Sequence, residues 1–547
     1  MQNRSLNLIS IVSLSLSMAI ALAGCGNQAI DATDLTDDTV ADDTADTTAE
    51  ETQADEPDAA SPGNEQSTAP NDDTTSNDVP ADTDDNTTPE DTDDTADVPA
   101  DETPDDVDDV DDVDDVDDES DTPADGTTDT PDEERESTFI RMTIDDTVDG
   151  PAFVSIADMN ADGKDDLVVS AFGQVGLTSL IPTGTLTIYY QGADLESWTT
   201  EKLIEQDDAV QFPNSVTIDD IDSDGDLDII SASGFLVCTA IPFGGPCGGL
   251  RWFEQDAGSW IEHIIVPNEQ EHFYHHAELI DFDGDGIRDI IITAEKAGGF
   301  FGGGEAIAQM FQGLPSGDLF SSEPVDLGLG LGSFPRVYDI DNDGDLDLAS
   351  AEYFHEGGSF AWLESVEAPT PQVPAGRFER HVIADDVGPS IMLTLVADLY
   401  GDGVTRAVGS NHSNTAKSPA DPWESAIYVF DIPTEDPTEP WPRTKISEGI
   451  VSRAGNMIDN QAAPGIFGTG DIDADGDIDV VVSGDGDPRV FWLEQDAPGA
   501  FTSHVLAEEL GQAGAMKIVD LDRDGKSEIL VSSYEANVLY IFQHQSN

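Results

Sequence analysis

Seven short acidic loops recur between Asp158 and Glu528, and six of them carry a complete set of oxygen donors. The first holds Asp158, Asn160, Asp162 and Asp166, and the second Asp220, Asp222, Asp224 and Asp228. The third holds Asp281, Asp283, Asp285 and Asp289, and the fourth Asp339, Asp341, Asp343 and Asp347. The sixth holds Asp471, Asp473, Asp475 and Asp479, and the seventh Asp520, Asp522, Asp524 and Glu528. Oxygens at positions 1, 3, 5 and 9 of a tight loop suit Ca²⁺, a hard cation that takes about 6–8 oxygen ligands. The glycine at position 6 permits the sharp turn that a Cβ resists. The fifth copy fails: Tyr400 stands at position 3 and Arg406 at position 9. About six structural Ca²⁺ ions are therefore expected, and none in the fifth loop.

Strands must position these loops. Each closing acid opens a short apolar run such as Leu167-Val168-Val169 or Ile290-Ile291-Ile292, which reads as a buried strand. The loop thus lies in a β-hairpin, unlike the helix-flanked loop that closes with Glu at position 12. Ahead of each unit stands an aromatic followed five residues later by an apolar residue: Phe139/Ile144, Trp198/Leu203, Trp260/Ile265, Phe320/Val325, Phe378/Ile383, Trp441/Ile446 and Phe501/Leu506. These pairs read as outer strands. An aromatic strand, clearest at Trp252, Trp362 and Trp492, completes a four-stranded unit (a, loop, b, c, d) with a period of about 60 residues. Radial repetition of such sheets predicts an all-β, seven-bladed β-propeller with calcium loops in the a–b hairpins. The last unit lacks an outer strand, and an orphan one precedes the first. Residues 138–145 should therefore complete the last blade and remove an exposed edge.

The loops and their flanking strands resemble the FG-GAP/VCBS-repeat family, the calcium-loop propellers also seen in integrin α-subunit heads. The resemblance covers about 410 residues, from Thr138 to Asn547. It implies the propeller fold and the calcium sites, and leaves activity open because one fold hosts many functions. No site is carried onto the fifth loop, which departs at Tyr400 and Arg406.

The front of the chain has a different character. Arg4 and an apolar run ending Leu22-Ala23-Gly24-Cys25 resemble a bacterial lipoprotein signal, with Cys25 acylated after cleavage. An ordinary secretory signal cut after Ala23 also fits the small residues there. With Gly26 following the cysteine, the lipoprotein class points to the outer membrane, facing the periplasm or the cell surface. Residues 26–137 contain 44 acids and one Arg. Such a segment cannot bury enough apolar surface to offset ordering entropy, so a disordered, extended acidic tether is expected. The organisation is then signal peptide 1–25, linker 26–137 and propeller 138–547. The formal charge of −96 leaves about −54 on the propeller, which argues against nucleic acid as a partner. Cys238 and Cys247 flank a Gly/Pro loop and can pair in an oxidising compartment or stay free.

Nine histidines remain as candidates for chemistry. His263, His381 and His504 recur at one outer-strand position and read as scaffold. His272, His275, His276, His355 and His412 fall in loops on the face opposite the calcium loops, near Glu295, Glu352, Asn411 and Asp485. Imidazole with carboxylate can serve acid–base or metal chemistry; His275, His276, His412, Glu295 and Glu352 would form a polysaccharide lyase or sugar dehydratase site. The stronger expectation is a lipid-anchored binding or adhesion module for an extracellular glycan or protein, with no catalytic residue committed. Its contacts would come from residues 240–249, 298–304 and 411–423, including Phe243 and Trp423, which are long Gly/Pro-rich insertions.

Overall fold

The structure is a computed structural model that describes residues 139–545 except 175–181, 236–244, 297–303, 354–359, 389, 412–425, 448–464, 485–486 and 512. Cys25, the linker 26–137, Cys238, Phe243, His355, His412, Trp423 and Asp485 lie outside the described residues.

Seven four-stranded antiparallel sheets follow one another along the chain and form a seven-bladed β-propeller. Blade 1 runs Pro151–Ala157, Asp166–Ala171, Thr185–Gln191 and Trp198–Ile204, from inner to outer strand. Its second strand is buried at every residue, because neighbouring blades cover both of its faces, while its outer strand is mostly exposed. This explains why the b strands read as unbroken apolar runs and the d strands do not. Each of the seven blade interfaces has its own apolar cluster. Between blades 1 and 2, for instance, Val168, Leu186 and Ile188 meet Val216, Ile229 and Phe253. Blade 7 packs on blade 1 through Leu530, Leu539 and Ile541 against Val154, Leu167 and Tyr189, so the ring is closed.

Blade 7 takes its outer strand from the front of the ring. Phe139–Asp145 lies antiparallel to Val538–His544, with Phe139 opposite His544. Phe139 is buried and meets the ring of Trp492 edge-on at 5.7 Å, which ties this strand to blade 6 as well.

Two outer strands differ from the sequence reading. In blade 3 the strand is Val325–Leu329, and in blade 5 it is Arg443–Lys445, so Phe320 and Trp441 precede their strands. Pro324 stands directly before the first, and Pro440 and Pro442 bracket Trp441. Proline has no amide to give a ladder. Both aromatics remain buried and still pack as anchors.

Candidate metal centres and the channel

The acidic loops share one backbone shape. The glycine at position 6 has positive φ in all seven, from 75° at Gly403 to 104° at Gly225. Position 4 is also left-handed in all seven, even where it is Ala161, Ser223, Asn342, Ala474 or Arg523. The residue between the first two ligand positions is a buried apolar anchor: Met159, Ile221, Phe282, Ile340, Leu399, Ile472 or Leu521. Packing of this side chain between blades fixes each loop to the core.

The closing acid is a latch. In the six complete loops the anchor residue donates its amide to it, as from Met159 to Asp166 (3.0 Å) and from Leu521 to Glu528 (2.8 Å). The other carboxylate oxygen accepts an amide from the end of strand c in five of these loops, as from Gln191 to Asp166 and from Gln495 to Asp479. Burial, opposed by these bonds and reinforced by neighbouring acids, pushes Asp166 and Asp228 up to about 6 and Asp347, Asp479 and Glu528 up to about 7. Asp289 is raised for the same reason.

Five loops bring three carboxylates within 4.8 Å of one another: Asp220/Asp222/Asp228, Asp281/Asp283/Asp285, Asp339/Asp341/Asp347, Asp471/Asp473/Asp475 and Asp520/Asp522/Glu528. In each of these five, Oδ1 of the first acid is buried without a hydrogen-bond partner. Carboxylate oxygens that converge and have no donor are suited to a cation, because an unsatisfied buried acceptor is costly. The first loop, with Asn160 at position 3, is not among the five. There the Asp158 oxygens accept the amides of Asp162 and Gly163.

The fifth loop supplies its own cation. The Arg406 guanidinium makes two bonds to Asp402 (2.8 and 2.7 Å), a third to Asp431 (2.8 Å), and sits 4.2 Å from the centre of the Tyr400 ring. Its side-chain bond holds Asp402 down at about 2. The two departures from the sequence pattern, Tyr400 and Arg406, thus act together.

On the opposite face the structure brings some of the candidate residues together and separates others. His275 Nε2 lies 3.4 Å from Glu295 Oε2, and both are buried. Burial pushes the Glu295 carboxyl up to about 8 and the His275 imidazole down to about 4, so the pair is neutral near pH 7. Glu352 is elsewhere engaged, accepting bonds from Arg380 and the Leu331 amide. Asn411 holds backbone at Val387 and Ala426. His276 faces the channel, 3.0 Å from Ser215 Oγ and 3.5 Å from Glu278. His272 lies 3.8 Å from Glu305. A cluster of aromatic rings covers this end of the channel: Phe153, Phe172, Phe212, Phe235, Phe273 and Phe334 touch in series, with centroids 5.4–6.4 Å apart. His275 lies within it, against Phe235, Phe273 and Phe334. Cys247 is buried and disulfide-bonded.

His263, His381 and His504 each lie against a tryptophan (Trp252, Trp362, Trp492) and meet Glu254, Glu364 and Glu494 at 2.5–2.7 Å. They are repeated cross-strand braces in blades 2, 4 and 6. The loop residues that sequence reasoning passed over are the position-2 anchors. Their signal was an apolar residue directly after the first Asp in every copy.

Residues 220–292 and 471–531 match the family described as FG-GAP-like repeat. No curated protein matches the chain. Among solved structures it is similar to an Agrocybe aegerita lectin described as recognising non-reducing terminal N-acetylglucosamine, at 14% identity and a TM-score of 0.38, over 66% of this chain and 81% of that one. It is similar to the Penicillium chrysogenum α-L-arabinanase at 11% identity and a TM-score of 0.39, over 74% and 98%. It is also similar to BBS1N in complex with ARL6DN at 10% identity and a TM-score of 0.42, over 75% and 98%. None of these likenesses bears on what this chain binds.

Proposed function

We propose that this chain, which carries FG-GAP-like repeats in a seven-bladed ring, is a calcium-stabilised binding module held outside the cell by a lipid on Cys25. The acidic segment 26–137 serves as its spacer, and the outer membrane is its site of attachment. About six Ca²⁺ ions are structural, held by the acids of the six complete loops. They bring together carboxylates that would otherwise repel one another. The partner is an extracellular glycan or protein, docked on the face opposite the ions through residues 240–249, 298–304 and 411–423.

The observation that carries this reading is the contrast between the two faces. Five acidic loops bring three carboxylates together with one buried oxygen that has no donor, on a braced scaffold, while His275 and Glu295 are buried among aromatic rings. A rigid metal-braced ring is a platform for recognition. A sugar lyase or dehydratase needs its imidazole and carboxylate in reach of substrate.

The test uses the full chain in calcium buffer, with its metal content measured, applied to an array of glycans and to soluble polysaccharides assayed for unsaturated products. About six calcium ions, retention on a defined glycan and no product are expected. Product formation that is lost on His412→Ala would overturn the binding reading in favour of the enzyme.

A further inference from the structure

On the acidic-loop side the channel is an open well. A cavity of about 480 Å³ lies between the inner strands of blades 7, 1 and 2, bordered by Lys517, Ser155, Val216, Ile218 and Asp165. That volume suits a small ligand. Further in, Phe153 stands one channel-facing position beyond Ser155, and its ring meets Phe334 from blade 4 at 6.0 Å.

It places a lysine in an otherwise acidic molecule. Lys517 has no carboxylate within 4 Å among the described residues, although acids outnumber Lys and Arg by 116 to 20 in the chain. Most other described cations are paired, as Arg336 is with Glu278 and Arg288 with Asp219. Arg336 still has a buried Nε with no partner. Lys517 is exposed to solvent in the well, and the Arg336 guanidinium lies near enough to act on its charge. A positive charge placed there without a paired carboxylate favours an anion.

The remaining polar groups accept. Ser155 Oγ donates to the Val216 carbonyl (2.8 Å). Its oxygen is then left with lone pairs for ligand donors. Asp165 at the rim, 3.8 Å from Arg523, adds another acceptor. A dianion such as sulfate or phosphate would meet Asp165 unfavourably. A ligand bearing one carboxylate and several hydroxyls matches all of these groups.

We propose that this well binds a small polyhydroxy carboxylate of the sugar-acid class, its carboxylate on Lys517 and its hydroxyls on Ser155 and Asp165. The site lies on the face opposite the docking face assigned above, so either assignment can fail without the other.

The experiment is titration calorimetry of the calcium-loaded full chain with D-glucuronate, with D-glucose and acetate as separate probes. Saturable binding of one glucuronate per chain is expected, with glucose and acetate at least about tenfold weaker. Lys517→Met should weaken glucuronate by about tenfold or more, the usual worth of a charge-assisted bond. Lys517→Arg, which keeps the charge, should stay within about threefold, and Ser155→Ala should fall between the two. A thermal melt on each variant shows that the ring is intact. Absence of saturable glucuronate binding to the wild-type chain would overturn the proposal. So would unchanged affinity in a folded Lys517→Met, or acetate binding as tightly as glucuronate.

Discussion

At the residue scale, the His275–Glu295 pair shows how burial changes the meaning of a promising combination. Both groups are neutral near pH 7 because neither charge is solvated among the aromatic rings. The Glu295 carboxyl titrates near 8 instead of near 4.5, so between those values the folded chain holds a proton that the unfolded chain has released. Stability therefore falls as pH rises across that range. His275 titrates near 4 instead of 6.5, so between those values the folded chain lacks a proton and stability rises with pH. The two slopes oppose each other up to about 6.5, and only the carboxyl acts from there to about 8. Wild-type stability should drop across pH 6.5–8 by up to about 1.4 kcal/mol per pH unit from this group. Urea melts at both ends of the window should show that Glu295→Gln removes this slope; the same slope in the variant would mean another group causes it. The residue types were legible in the sequence, since the histidines are few and the acids near them stand out. Their burial was not, because Phe153 and Phe172 from blade 1, Phe235 from blade 2 and Phe334 from blade 4 meet only in the folded ring. Likewise Arg406 could be read as a departure from the loop pattern, while its position between Asp402 and Asp431 depends on strand pairing.

At the element scale, the outer strand of blade 7 is the critical piece. Phe139–Asp145 covers the edge of Val538–His544 and seats Phe139 against Trp492. Deleting residues 139–145 should destabilise the ring by more than about 3 kcal/mol, since truncating one buried Phe alone costs about that much. Phe139→Ala should itself cost about 3 kcal/mol. Calorimetric melts would measure both, and gel filtration should show association of the deleted form through its bare edge. A deletion that melts like wild type would mean the strand is an ornament. The period of the loops, the four-strand unit and the orphan strand were all visible in the chain, because repetition makes each copy evidence for the next. The exceptions came from proline: Pro324, Pro440 and Pro442 delay two outer strands by interrupting their amide ladders. The left-handed residue at position 4 was hidden because Ala, Ser, Asn and Arg occupy it more often than Gly.

At the scale of the whole molecule, the balance is between an acidic ring and the cations that hold it. Each bound ion would stabilise the ring by about 2.7 kcal/mol when free calcium is a hundredfold above its Kd. Chelation should therefore lower the melting temperature steeply. Added salt near 1 M should recover part of that loss, because the Debye length falls to about 3 Å. Hydrogen exchange in the same samples should quicken at Gly163, Gly225, Gly286, Gly344, Gly476 and Gly525, and stay slow at Gly403, whose loop carries Arg406 in place of an ion. Uniform exchange across all seven loops, or none, would refute the assignment of metal to the six complete loops.

The pairing of Phe139 with His544 also sets an order in time. These partners stand about 400 residues apart, and contacts so distant in the chain form slowly because the intervening loop must close first. Six blades can assemble from neighbours as they emerge, while the seventh waits for the final strand. Until then the first strand has no lasting partner, and the unfinished ring is most exposed to proteases and to association with other copies. A ring of this design is at its most vulnerable just before its last strand is in place.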